Sequence, residues 1–163
     1  MGLLSSGIAN AALISESASF SPSLVIDGGA ATTSLNITDS GLVTDLDVWI
    51  NFSKRSSVNS AGNCTTTDHS FLSEIVFSLR NPFGTSVNLI TSGQYSGGTN
   101  VSHVLALFDD SSLNTAFGTP VSGTFNPAGS LSGFNDLSAL GDWVLTYQDT
   151  VGADPLALNS WGL

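Results

Sequence analysis

The chain has 163 residues, with 3 Lys and Arg against 13 Asp and Glu, a formal net charge of -10, and 41% hydrophobic residues. Three basic residues cannot neutralise the rows of phosphates that non-specific nucleic-acid binding requires, nor hold the chain on an anionic membrane, so both partner classes are excluded. Charges are too sparse and apolar residues too frequent for a disordered chain, and the length suits one domain.

The N-terminus is a short apolar stretch closing on Ala9-Asn10-Ala11, the small-x-small pattern after which signal peptidases cut. Residues 1–11 are therefore read as the remnant of an export signal, with a frayed or strand-forming leader as the alternative. Residues 12–163 then form one domain, secreted or otherwise extracytoplasmic. No apolar run approaches the roughly 20 residues of a membrane span, so membrane insertion is not expected.

From there the apolar stretches are short, rich in Val, Ile, Thr and aromatics, and bounded by Gly, Pro, Asn or Asp. The first predicted strand is 33–38. The second, 46–52, alternates strictly and places Leu46, Val48, Ile50 and Phe52 on one face, with Asp47, Trp49 and Asn51 on the other. A polar insertion, 54–67, follows; it is long for a hairpin loop and holds Lys54, Arg55 and the lone cysteine, Cys64. One cysteine permits no intrachain disulfide. Asn36, Asn51, Asn63 and Asn100 head Asn-x-Ser/Thr sites, which a chain so rich in Ser, Thr and Asn produces readily by chance.

Strands at 71–79 and 86–91 should pair through the turn Asn81-Pro82-Phe83-Gly84, where Pro presets φ and Gly closes the turn. Further strands are expected at 101–108, 123–125, 143–148 and 160–163, while 113–118 and 131–140 read as connections with single helical turns at most. The set predicts an all-β jelly-roll β-sandwich of about eight to nine mostly antiparallel strands.

Asp68-His69-Ser70 holds the letters of a hydrolase triad, but consecutive side chains on an extended segment point to opposite faces and cannot converge in series. His103 stands in an apolar strand with no nucleophile turn nearby. No catalytic residue is therefore assigned. Two histidines and one cysteine make no transition-metal cluster, which leaves calcium as the one cofactor to consider. Its candidate oxygen ligands stand at strand ends: Asp68, Glu74, Asp109, Asp110, Asp149 and Asp154. The alternative is that each Asp caps backbone N–H groups in its turn. For binding, Trp49 on its strand's outer face and Tyr95 in a loop are the exposed aromatics suited to stacking on a sugar or entering a protein interface. Trp143 and Trp161, beside Leu145 and Leu163, are expected in the core.

The run His69-Ser70-Phe71-Leu72-Ser73-Glu74-Ile75, followed by Leu79-Arg80-Asn81-Pro82-Phe83-Gly84-Thr85, resembles the His-Thr-x-x-Gly-Asp-Leu and Leu-x-Ser-Pro-x-Gly-Thr pattern of the P domain (P/Homo B domain) of proprotein convertases and bacterial subtilisin-like proteases. Phe108-Asp109-Asp110, the stretch from Gly123 to Pro127 with Leu131 and Phe134, Gly141-Asp142-Trp143-Val144-Leu145 with Asp149, and the closing Leu158-Asn159-Ser160-Trp161-Gly162-Leu163 continue the resemblance in order. It covers about residues 27–163. Ser73 and Glu74 depart from the family's Gly and Asp, and Leu156 stands where Gly is frequent. The matched His69, Pro82, Gly84, Gly141, Trp143 and Trp161 read as architecture: Pro82 and Gly84 fix a turn, Gly141 admits Trp143 to the core, and His69 bonds to backbone or to a carboxylate. The resemblance implies a non-catalytic, monomeric module that packs against a protease domain and stabilises it. The alternative is a carbohydrate or cell-surface recognition module using Trp49 and Tyr95.

Overall fold

The computed structural model describes residues 12–57 and 69–163. The expected leader, 1–11, and residues 58–68, which hold most of the polar insertion with Cys64 and the calcium candidate Asp68 just after it, lie outside the described residues. Among the described residues nine strands are formed: β1 Ser17–Ile26, β2 Gly29–Ile37, β3 Val48–Lys54, β4 Ile75–Arg80, β5 Ser86–Ile90, β6 Val101–Phe108, β7 Gly123–Phe125, β8 Gly141–Asp149 and β9 Leu156–Gly162. They make two sheets, one ordered β1-β9-β3-β6-β7 and the other β2-β8-β4-β5. Every pairing is antiparallel except β6 with β7. The architecture is the all-β sandwich that the strand spacing predicts. Among the described residues no helix is long and apolar enough to cross a membrane.

Alternation builds the core between the sheets. Val48, Ile50 and Phe52 of β3 and Trp143, Leu145 and Tyr147 of β8 all turn inward and are buried. Phe52 packs on Phe77 of β4, with ring centroids 5.2 Å apart, and Phe134 meets the edge of Trp143 at 5.1 Å. Trp143 Nε1 donates to Ala139 O at 2.8 Å, so the buried indole leaves no orphan donor there. Trp161 is fully buried, as expected.

The β4–β5 hairpin follows from its turn. Asn81 Oδ1 accepts from the Phe83 and Thr85 amides at 3.1 and 2.8 Å, and Gly84 adopts φ +96°, open to glycine at no steric cost. Gly141 has φ +117°, and a Cβ there would lie 2.9 Å from Pro82 Cβ. Pro82 and Gly141 thus form one contact, the hairpin turn seated against the start of β8.

Three expectations are corrected. β1 was not foreseen; it is an edge strand whose register on β9 shifts between Ser19 and Leu24, around Pro22. The strand expected at 71–79 starts only at Ile75, because Leu72–Glu74 forms a 3-10 turn. Lys54, expected in the polar insertion, is the last residue of β3 and is fully buried.

Candidate functional site

Two features stand at opposite ends of β3 and β8. At the C-terminal ends of both strands lies a buried charge cluster. Lys54 Nζ donates to Asp149 Oδ1 at 2.7 Å, to Glu74 Oε2 at 3.1 Å and to the main-chain carbonyl of Asp154, whose Oδ2 is 3.3 Å away. The Lys54 and Asp149 side chains are wholly inaccessible and Glu74 is 12% exposed, so only Glu74 touches solvent appreciably. Asp154 Oδ2 also accepts from the Phe71 amide, and the Thr150 amide donates to Glu74 O at 3.2 Å. One ammonium thereby ties β3, the 3-10 turn before β4, the end of β8 and the β8–β9 turn together.

Three carboxylates around one ammonium leave an excess of negative charge. Burial, which disfavours an ionised carboxylate, raises both Glu74 and Asp149 above the usual carboxylate range; Lys54 opposes the rise and Asp154 adds to it. Asp149 Oδ2 has no hydrogen-bond partner, while the Gly28 amide favours the ionised form of the carboxyl.

Of the described calcium candidates, Glu74, Asp149 and Asp154 converge, and they do so on Lys54. Asp109 caps its own turn, accepting from the Ser111 amide at 2.7 Å. Asp110 caps the 3-10 turn Leu131–Phe134 through the Leu131 and Ser132 amides, both at 2.8 Å, and the Ser130 hydroxyl at 2.5 Å. Partial burial pushes Asp110 up, but these hydrogen bonds outweigh it and hold the carboxyl below its usual range. Among the described residues no group of three His, Cys, Asp or Glu side chains is arranged to hold a metal ion. Asp68 lies outside the described residues.

His69 and Ser70 do not meet. His69 is exposed and its Nδ1 pairs with Gly98 O at 2.7 Å, whereas Ser70 is buried and its hydroxyl donates to Lys54 O at 3.3 Å. His69 thereby stitches the segment entering β4 to Gly98, and Ser70 ties it to the end of β3 and, at 3.4 Å, to Thr99 O.

At the other end of β3 and β8 an apolar cleft of about 530 Å³ opens between the strap 12–15, the loop 42–47 and the outer face of β3. Leu42, Val43, Leu46, Trp49, Leu107 and Leu163 line it, and Asp45 and Asp47 stand beside them. Its wall is fixed to the body: Val43 N donates to Leu137 O, Asp136 N to Val43 O and Ala139 N to Gly41 O, each at 2.8 Å. Burial, with help from Asp109 and Asp45, raises the Asp47 carboxyl.

Trp49 points away from the core as predicted, but it is half-buried rather than free. Its cross-strand neighbour on β9 is Gly162, and a Cβ there would lie 2.6 Å from Trp49 Nε1; the ring occupies the space a side chain would take. Tyr95 is a correction. It is 1% exposed and packs toward Phe52, with centroids 6.2 Å apart, because Gly93 at φ +80° and Gly97 at φ +105° fold the loop back over the core. Burial raises its hydroxyl well above the ordinary tyrosine value.

No family model matches the chain, and no curated protein matches it. Two solved structures are similar in fold. One is the serine protease of Aeromonas sobria in complex with a chaperone, at 17% identity and a TM-score of 0.48, covering 92% of this chain and 26% of that one. The other is the serine protease of Aeromonas sobria, at 15% identity with the same TM-score and coverage. The chain thus spans about a quarter of the length of each.

Proposed function

We propose that the chain is a non-catalytic, extracytoplasmic module of the P-domain type that packs through the Trp49 cleft against a partner protein. Its motifs resemble those that accompany subtilisin-like serine endopeptidases, and the partner of choice is such a catalytic domain. One observation carries the reading: the motif residues Pro82, Gly141, Trp143, Trp161 and His69 serve architecture, with Pro82 against Gly141, Trp143 and Trp161 in the core and His69 on a main-chain carbonyl.

The cleft suits the packing role. Leu42 is 63% exposed and Leu13 97%, more apolar surface than an isolated loop explains, while Asp45, Asp47 and Asp109 beside it call for a partner surface with apolar side chains and basic groups around them. The carbohydrate reading loses Tyr95 to the core and keeps only a half-covered Trp49.

Capture from the native secretome tests the proposal. The wild-type chain should retain a serine peptidase, Leu42→Asp should not, and the chain alone should neither hydrolyse peptide substrates nor react with a fluorophosphonate probe. Labelling by the probe, or equal capture by Leu42→Asp, would overturn it.

A further inference from the structure

The inward rows of β3 and β8 end in Lys54 and Asp149, one residue from each sheet. Their side chains meet at 2.7 Å with no exposure to solvent, and a second carboxylate, Glu74, touches the same nitrogen at 3.1 Å. A nitrogen so placed on a carboxylate oxygen stands near the roughly 3–3.5 Å from the carbon at which attack begins. We propose that Lys54 and Asp149 are the reacting pair of an intramolecular isopeptide bond, an amide joining Nζ to Cγ, with Glu74 as the proton carrier.

The step balances without a co-reactant. Glu74 takes a proton from the Lys54 ammonium and passes it to Oδ2 of Asp149, and the freed amine attacks Cγ of the resulting neutral carboxylic acid. A second proton follows from nitrogen to the same oxygen, and the C–Oδ2 bond breaks. Ammonium and carboxylate become one neutral amide and one water. Oδ2 is the oxygen suited to leave, since it has no hydrogen-bond partner.

The surroundings favour that exchange. Asp149 stands opposite Ile75, and Lys54 opposite Leu156 and Val101, all buried apolar residues. Two ions kept from water there are costly and a neutral amide is not. The raised Asp149 and Glu74 carboxyls accept protons more readily than exposed ones, which assists both transfers. Asp154 is the weaker candidate: its Oδ2 is farther, at 3.3 Å, and holds the Phe71 amide, while its carbonyl steadies Nζ. The bond would staple one sheet to the other across 95 residues of chain, in a protein whose single cysteine permits no intrachain disulfide.

Intact mass of the full chain, taken under denaturing conditions after refolding, reads the outcome. Most molecules should be lighter than the sequence requires by one water, with a branched proteolytic peptide joining Lys54 to Asp149. Lys54→Arg and Asp149→Ala should each restore the full mass, and Glu74→Gln should slow the loss at least tenfold. A wild-type chain of full mass overturns the proposal. So does a branch at Asp154 or Glu74, or a water loss that persists in Lys54→Arg, as a succinimide at Asp27-Gly28 would.

Discussion

Replacing Lys54 by Met keeps the length of the buried stem and removes its charge, leaving Asp149, Asp154 and Glu74 facing one another. Asp149 is wholly buried and Asp154 4% exposed, so water cannot take over the role of the ammonium. Breaking a buried ion pair by deleting one partner costs about 3–5 kcal/mol. For a chain of this length that lowers Tm by about 6–20 °C at neutral pH, at about 2–4 °C per kcal/mol, and by more where the Lys54–Asp149 bond has formed.

The pH dependence fixes the cause. Glu74 and Asp149 already sit above the usual carboxylate range with Lys54 present, and without it they rise further. A carboxyl raised in the folded state binds protons more tightly there than in the unfolded chain. Its contribution to stability is full below the unfolded value and is lost as pH rises through the folded one. Lys54→Met should therefore regain stability as the pH falls from neutral toward the ordinary carboxylate range, as followed by circular dichroism melts. The variant lacks the nucleophile, so its own profile reads the carboxylates alone. A Tm within about 2 °C of wild type at neutral pH, or one that falls on acidification over that interval, would refute the reasoning.

Gly141→Ala should cost about 2–5 kcal/mol, from strain at φ +117° together with the clash on Pro82, whereas Gly84→Ala, at φ +96° in open space, should cost only about 1–2 kcal/mol; equal shifts in denaturant midpoint would remove the Pro82 contact from the account. Asp110→Ala removes three hydrogen bonds to the 3-10 turn and its entry and should destabilise by about 1–2 kcal/mol. Because the Asp110 carboxyl is lowered in the fold, its stabilisation is present above the unfolded value and disappears as pH falls through the folded one, so the cost of the substitution should vanish in strong acid. Gly162→Ala should push Trp49 off β9 and red-shift its emission, with unchanged fluorescence as the contrary result. Millimolar calcium should leave Tm unchanged, since the converging carboxylates already face an ammonium; a rise reversed by chelation would contradict that placement.

The strand pattern carried the sandwich because alternation is a direct trace of two packed sheets. β1 escaped because an edge strand interrupted by Pro22, with one buried residue in ten, shows little apolar alternation in its sequence. The charge cluster was half legible. Glu74, Asp149 and Asp154 stood out as acids at strand ends, but their cation did not, because a lysine beside Arg55 and a polar run reads as solvated. The parity that turns Val48, Ile50 and Phe52 inward also turns Lys54 inward, and that of Trp143, Leu145 and Tyr147 reaches Asp149. Carrying each alternation one step past its last apolar residue would have brought the pair together. Tyr95 misled for the opposite reason: Gly93 and Gly97 mark a loop in sequence, and only the fold shows that their left-handed conformations return the loop to the core.

Hydrogen–deuterium exchange of the chain with and without its captured partner tests the packing role most directly. Protection should appear at residues 42–49, 105–107 and 163 around the cleft, and exchange at 69–75 and 149–156 around Lys54 should be unchanged. Protection at the Lys54 end with none at the cleft would place the partner on the wrong face and contradict the account.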